Sequence, residues 1–167
     1  SLTSNGPIRL NGTITTTGSQ TYNGTVELIG NVTLNTTNSA VSFGSTVDGD
    51  AAGRQLTIAA GTATVSFAGT VGAVNDLGAM AITANGIIFN AGAGSVHGNS
   101  TILLQPATNA TTVGIAGGAG TLALSSATIA ALAAGFSEIQ IGRPAGTVAV
   151  TVGAAGASFT SPVLLQS

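Results

Sequence analysis

The chain has no cysteine, no lysine and no tryptophan. Without cysteine it forms neither disulfides nor thiolate metal sites, a composition compatible with export. Charge of either sign is scarce. Arg9, Arg54 and Arg143 stand against Glu27, Asp48, Asp50, Asp76 and Glu138 in 167 residues, a net charge of −2. That balance cannot generate the basic field that nucleic-acid binding needs, and it gives no attraction to an anionic membrane. Long apolar runs are missing as well. No stretch of about 18 residues escapes interruption by Gly, Thr, Ser or Asn, so no membrane-spanning helix is expected. Five Phe and one Tyr cannot build the aromatic girdles of a transmembrane barrel. Disorder is argued against by the opposite feature: 44% of residues are apolar, many of them Val, Ile and Leu in short clusters. The chain opens on Ser1 with neither an initiator Met nor a signal peptide, as expected of a mature subunit or an excised segment.

What is present is a series of apolar-x-apolar triplets. Val32-Thr33-Leu34, Val41-Ser42-Phe43, Leu56-Thr57-Ile58, Val65-Ser66-Phe67, Met80-Ala81-Ile82 and Ile87-Ile88-Phe89 lead on to Ile139-Gln140-Ile141 and the run Val148 to Val152. Alternation of this kind marks short strands that face a core on one side, and the β-branched content agrees. Between the triplets lie Asn-Gly pairs at Asn5, Asn11, Asn23 and Asn85 and an Asp-Gly pair at Asp48. Such pairs tolerate positive φ and mark sharp corners.

In isolation those corners suggest hairpins, but the spacing argues otherwise. "VSFGSTVDGD" at Val41 is echoed 24 residues later by "VSFAGTVGAV" at Val65, and Phe89 follows Phe67 by 22. A solenoid has reason to keep such a period, because each coil must return to the same place one strand spacing higher. The spacing therefore predicts an all-β, right-handed parallel β-helix over residues 1–167, one domain with coils of about 22–24 residues. Roughly seven coils at about 4.8 Å would make a rod of order 35 Å. Phe43, Phe67 and Phe89 are expected in one internal column and Leu34, Ile58 and Ile82 in another, with Thr33, Thr57, Ser42 and Ser66 outside. Outer ladders of Thr, Ser and Asn escape the repulsion that stacked like charges would bring, which accounts for the low charge. "LSSATIAALAAGF" interrupts the pattern with a short helix near 126–135. Ser125 or Ser126 would cap it, Ile129, Leu132 and Phe136 would share one face, and Gly135 would end it.

Candidate chemistry is sparse. His97 is the only histidine, so one chain cannot supply a multi-His metal site, and a solvated corner accounts for it. Asp48, Asp50 and Asp76 could be brought near one another by successive coils. Three carboxylates could hold Ca²⁺ or serve a polysaccharide-cleaving β-helix, but Asp-Gly is also ordinary turn vocabulary, and the calcium-binding G-G-x-G-x-D repeat is absent. The Gly-rich stretch at Gly117 lacks the Lys of a phosphate loop and reads as a tight corner. Arg143 is expected to bond carbonyls at its own turn. Threonine sets such as Thr13, Thr15 and Thr17, or Thr62 and Thr64, raise an ice-binding alternative that needs the sets to recur in successive coils, and in sequence they do not. Asn-x-Thr triplets at Asn11, Asn23, Asn31, Asn35, Asn99 and Asn109 match the glycosylation pattern, but a chain rich in Asn and Thr produces them by chance.

The stretch "LALSSATIAALAAGFSEIQIGR" followed by "VTVGAAGASFTSPVLLQS" resembles a module of giant bacterial filamentous-haemagglutinin-like surface adhesins and related repetitive exoproteins. Gly135, Phe136, Ile139, Ile141, Gly142 and Arg143 carry the resemblance, together with Ser158, Phe159, Pro162 and Val163; "GSQTYNGTVELIGNVTL" and "VSFGSTVDG" extend it upstream. Where the family often opens the helix with an acidic residue, this chain has Ser126 and Ala127. The resemblance implies an exported β-helical protein at the bacterial cell surface, fibrous and structural or adhesive, with a cell-surface glycan or host receptor as a partner. A carbohydrate-active β-helix enzyme, a lyase or hydrolase, is the alternative. No catalytic residue, cofactor or metal ligand is assigned. The structural residues are Phe43, Phe67, Phe89, Leu34, Ile58, Ile82, Phe136, Ile139 and Ile141. Neither end of the chain reads as a finished cap, and apolar Val163, Leu164 and Leu165 are expected to mediate head-to-tail stacking, on another subunit or on the next module of a longer chain.

Overall fold

The computed structural model describes residues 1–167. In chain order the strands are β1 (Leu2–Ser4), β2 (Ile8–Thr16), β3 (Gln20–Tyr22), β4 (Val26–Thr36), β5 (Val41–Phe43), β6 (Val47–Gly49), β7 (Leu56–Ala59) and β8 (Thr64–Phe67). They continue as β9 (Met80–Thr83), β10 (Gly86–Phe89), β11 (Thr101–Gln105), β12 (Val113–Ile115), β13 (Leu122–Leu124), helix α1 (Ser126–Ala130), β14 (Glu138–Gly142), β15 (Val150–Val152) and β16 (Val163–Gln166). Every strand pairing is parallel. Neither Asp48-Gly49 nor Asn85-Gly86 closes a hairpin: the first pair, expected to be a corner, lies within β6 and the chain turns after it, and the second leads from β9 into β10 on the next wall of a β-solenoid.

Three walls enclose the core. The first is a column of short pairings and single bridges that runs Ile8, Val26, Val47, Val71, Val96, Leu132. The second is a sheet in the order β2-β4-β7-β9-β11-β14-β16. The third is β1-β3-β5-β8-β10, followed by β13-β12-β15. The second wall thus has seven levels and the third has eight strands. In β4 the first two walls are one continuous strand: Val26–Leu28 pairs with β6, and Val32–Asn35 pairs with β7. One coil later the corner loop 50–55 divides what β4 holds together.

The expected internal columns are present. On the second wall, Ile14, Leu34, Ile58, Ile82, Leu104, Ile141 and Leu165 occupy one register position. Gly12, Val32, Leu56, Met80, Ile102, Ile139 and Val163 occupy another. On the third wall, Phe43, Phe67 and Phe89 stack with ring centroids 4.7 and 5.2 Å apart. Tyr22 extends the stack by one level, 5.3 Å from Phe43. Ring spacings this close to the strand spacing follow from in-register parallel pairing, which repeats each side chain once per level.

Helix α1 is shorter than the expected 126–135. Ser125 caps it, its hydroxyl accepting from the Thr128 N–H at 3.1 Å. It stops at Ala130 because the wall below takes over its carbonyls: Gly94 N–H donates to Ala130 and Val96 N–H to Ala131, both at 2.9 Å. Ala133 N–H then donates to Val96, and Leu132 becomes a member of the first wall. Leu132 and Phe136 are buried as anticipated, but from the wall and not from a helix face. Phe136 fits because its ring lies against Gly98, where a Cβ would collide with it.

The level order breaks at β12 and β13. The later strand, β13, packs against β10, and the earlier one, β12, lies beyond it and receives β15. The chain overshoots one level and returns. The stretch at Gly117 expected to be a plain corner is this return. It is possible because backbone lies directly on backbone: a Cβ on Gly114 would collide with the Gly118 carbonyl, and one on Gly118 with the Thr151 carbonyl.

Candidate functional site

The outer surface of the walls is built from small polar groups. Thr13, Thr33 and Thr57 form one ladder on the second wall, and Thr3, Thr21, Ser42 and Ser66 form another on the third. Threonines therefore do recur at one place in three successive coils, contrary to the sequence expectation. Register was invisible in the sequence because the first coils are shorter than those that follow. The threonine ladder then ends in Ala81 and Leu103, so no long regular array develops.

The three carboxylates weighed as a site are not assembled. Asp48 accepts from three backbone N–H groups, those of Gly49 (2.9 Å), Val74 (2.8 Å) and Asn75 (2.9 Å). It ties one coil's corner to the next. Asp50 pairs with Arg54 at 2.6 Å, and the hydrogen bond from that guanidinium holds its carboxyl below the usual range. Asp76 is exposed and contributes its backbone carbonyl to Gly53 N–H. No group of three metal-ligating side chains occurs in the structure. A shallow cavity of about 240 Å³ lies beside Glu27 and Asp48, but Glu27 is engaged by Arg9 at 2.6 Å.

His97 is half-buried, and its backbone is part of the first wall, with its N–H donating to Val71. Arg143 reaches not its own turn but the turn of the previous second-wall strand. Its guanidinium donates to the carbonyls of Pro106 (2.8 Å) and Ala107 (3.0 Å).

Two features escaped sequence reading. The first is a set of corner brackets that explains the Asn content. Asn31, Asn38 and Asn85 each accept, through Oδ1, the backbone N–H of a residue one coil on: Gln55, Thr62 and Ala107, at 3.0–3.1 Å. The spacings of 24, 24 and 22 carried that signal. The second is a polar plug inside the lowest coils. Gln20 is fully buried in a column otherwise apolar and donates to the Ile14 and Asn35 carbonyls and to Thr16 Oγ1. Its Oε1 accepts from the Tyr22 hydroxyl at 2.9 Å. Burial pushes the Tyr22 phenol up to about 12.

The first and last coils each present free strand edges. The uppermost coil carries β15 and β16, each with one free strand edge. Val152 and Leu165 occupy inward column positions, yet they are 44% and 46% exposed, whereas Leu34, Ile58, Ile82 and Ile141 are at 0%. At the lowest coil, Leu2, Ile8 and Ile14 are only partly buried, and β1 and β2 have free edges. Helix α1 covers neither end. It packs on β10, and the coil above it bonds back through Thr160 Oγ1 to the Leu132 carbonyl. Chemically, the molecule offers strand edges and apolar columns at its ends and hydroxyls and amides along its sides.

Comparison of the chain with protein-family models, curated proteins and solved structures finds no match. No helix is long and apolar enough to cross a membrane.

Proposed function

We propose that the chain is an extracellular structural or adhesive protein, a length of a bacterial surface fibre built by stacking β-coils end to end. The observation that supports this reading is the pair of uncovered ends. An inward column that is sealed at every interior level and open at the last is completed by one further coil. That coil belongs either to a longer chain or to another subunit. No side chain of β15 or β16 is charged, so the edges these strands present lack the charge that proteins place on an edge to discourage pairing. The hydroxyl and amide ladders along the walls are the surface a cell-surface glycan or host receptor would meet. Asp48 and Asp50, held separately by backbone N–H groups and by Arg54, lend no support to the carbohydrate-active alternative.

Surface labelling tests the proposal. Antibodies raised against the folded chain should decorate intact cells of the source bacterium, in linear arrays by immunogold microscopy, and external protease should remove the label. Label that appears only after permeabilisation would overturn it.

A further inference from the structure

The Asn-Gly pairs at Asn5, Asn11, Asn23 and Asn85 carry a chemistry beyond turning the chain. A glycine nitrogen can attack the amide carbon of the asparagine before it, because no Cβ shields it. The fold treats the pairs differently. Asn85 is blocked twice: its Oδ1 accepts the Ala107 N–H at 3.0 Å, and the Gly86 N–H donates to the Ala63 carbonyl at 3.3 Å. Asn11 lies inside β2 with its amide pressed on Gly30, where a Cβ would collide with it. Asn5 and Asn23 are exposed and stand one above the other at a corner, where the Gly6 and Gly24 N–H groups donate to no acceptor. That openness belongs to the corner column and not to its lowest level. Ser45 and Gly69 stack on the same column, and their N–H groups are unbonded too.

The two corner amides are not equivalent. Asn23 Nδ2 donates to Asn5 Oδ1 at 2.8 Å. Asn5 therefore has a polarised carbonyl and a leaving nitrogen that is free, whereas Asn23 has its leaving nitrogen tied. We infer that Asn5 is a self-modification site, which deamidates through a cyclic imide with Asn23 as the donor to its developing oxyanion. Gly6 N loses its proton to water or hydroxide and bonds to Asn5 Cγ. Negative charge collects on Oδ1, where the Asn23 donor already points. The Cγ–Nδ2 bond then breaks, and Nδ2 leaves as ammonia. Water opens the ring. Opening at Cγ leaves an aspartate, and opening at the original backbone carbonyl leaves an isoaspartate with a longer backbone. Either product adds negative charge to a chain of net charge −2. The isoaspartate also lengthens a corner where Gly24 lies so close that a Cβ on it would collide with the Gly6 carbonyl.

Peptide mapping by mass spectrometry tests this on the folded chain aged at mildly alkaline pH, with fragmentation that separates aspartate from isoaspartate. Asn5 should deamidate at least about tenfold faster than Asn85, and the difference should vanish in urea. Asn23→Ala should slow Asn5 by about threefold to tenfold while Asn85 stays protected, which shows that the fold is intact. Gly6→Ala should also slow Asn5, and it should fold normally because a Cβ there meets nothing. An Asn5 that stays intact in the folded chain while it reacts in urea would overturn the inference. So would an Asn5 rate that is unchanged or raised in Asn23→Ala.

Discussion

Phe67→Ala removes the middle ring of the stacked column. Phe67 is fully buried, with Phe43 4.7 Å below it and Phe89 5.2 Å above. Withdrawing a Phe side chain from the core costs about 1.5–3 kcal/mol in transfer alone. The cavity cannot collapse easily, because hydrogen-bonded ladders hold the neighbouring levels at strand spacing, and Phe/Trp→Ala changes in such settings total about 3–5 kcal/mol. Each lost ring pair accounts for about 0.5–1.5 kcal/mol beyond area, and Phe67 loses two. The expected cost is therefore about 4 kcal/mol, the middle of that range. The assay is urea unfolding followed by circular dichroism, with the exposed Val74→Ala as a control expected within about 0.5 kcal/mol of wild type. A double-mutant cycle of Phe43→Ala with Phe67→Ala should return a coupling of about 0.5–1.5 kcal/mol. A Phe67→Ala cost below about 1 kcal/mol, or a coupling near zero, would refute the argument that in-register stacking stabilises the column.

Tyr22 makes stability fall at alkaline pH: its folded phenol is raised from 10.0 to about 12, so its contribution is complete below pH 10 and is lost as pH rises towards 12, about 3 kcal/mol in all. Tyr22→Phe should flatten that loss while costing about 1–3 kcal/mol at pH 7, because Gln20 Oε1 loses its donor; titrating the urea midpoint against pH in both proteins checks the sign. Asp48→Ala strips an acceptor from three N–H groups and should cost about 2–3 kcal/mol, whereas a chelator should leave the melting temperature of the wild type unchanged; a large drop on chelation would show that Asp48 works through a metal.

The solenoid was legible in the sequence because parallel stacking makes period and space the same thing. Phe43, Phe67 and Phe89 recur in the chain at the interval at which they meet in the structure, so spacing alone determined the columns, the side that faces the core and the need for low charge outside. Where the interval held, so did the reading. Tyr22 was missed because the first coils are shorter than the 22–24 residues of the later ones, and the same shift hid the alignment of Thr13 with Thr33. Only the tertiary structure decided the rest. The end of α1 at Ala130 depends on N–H groups of Gly94 and Val96, more than 30 residues away in the chain. The reversal of β12 and β13 depends on glycine backbones meeting at a crossing that no local pattern announces. Whether Asp48, Asp50 and Asp76 form a site depended on which N–H groups and which guanidinium reached them first. Periodicity is a one-dimensional property and survives in a list of residues. Hydrogen-bond competition between coils is settled only where their backbones lie side by side.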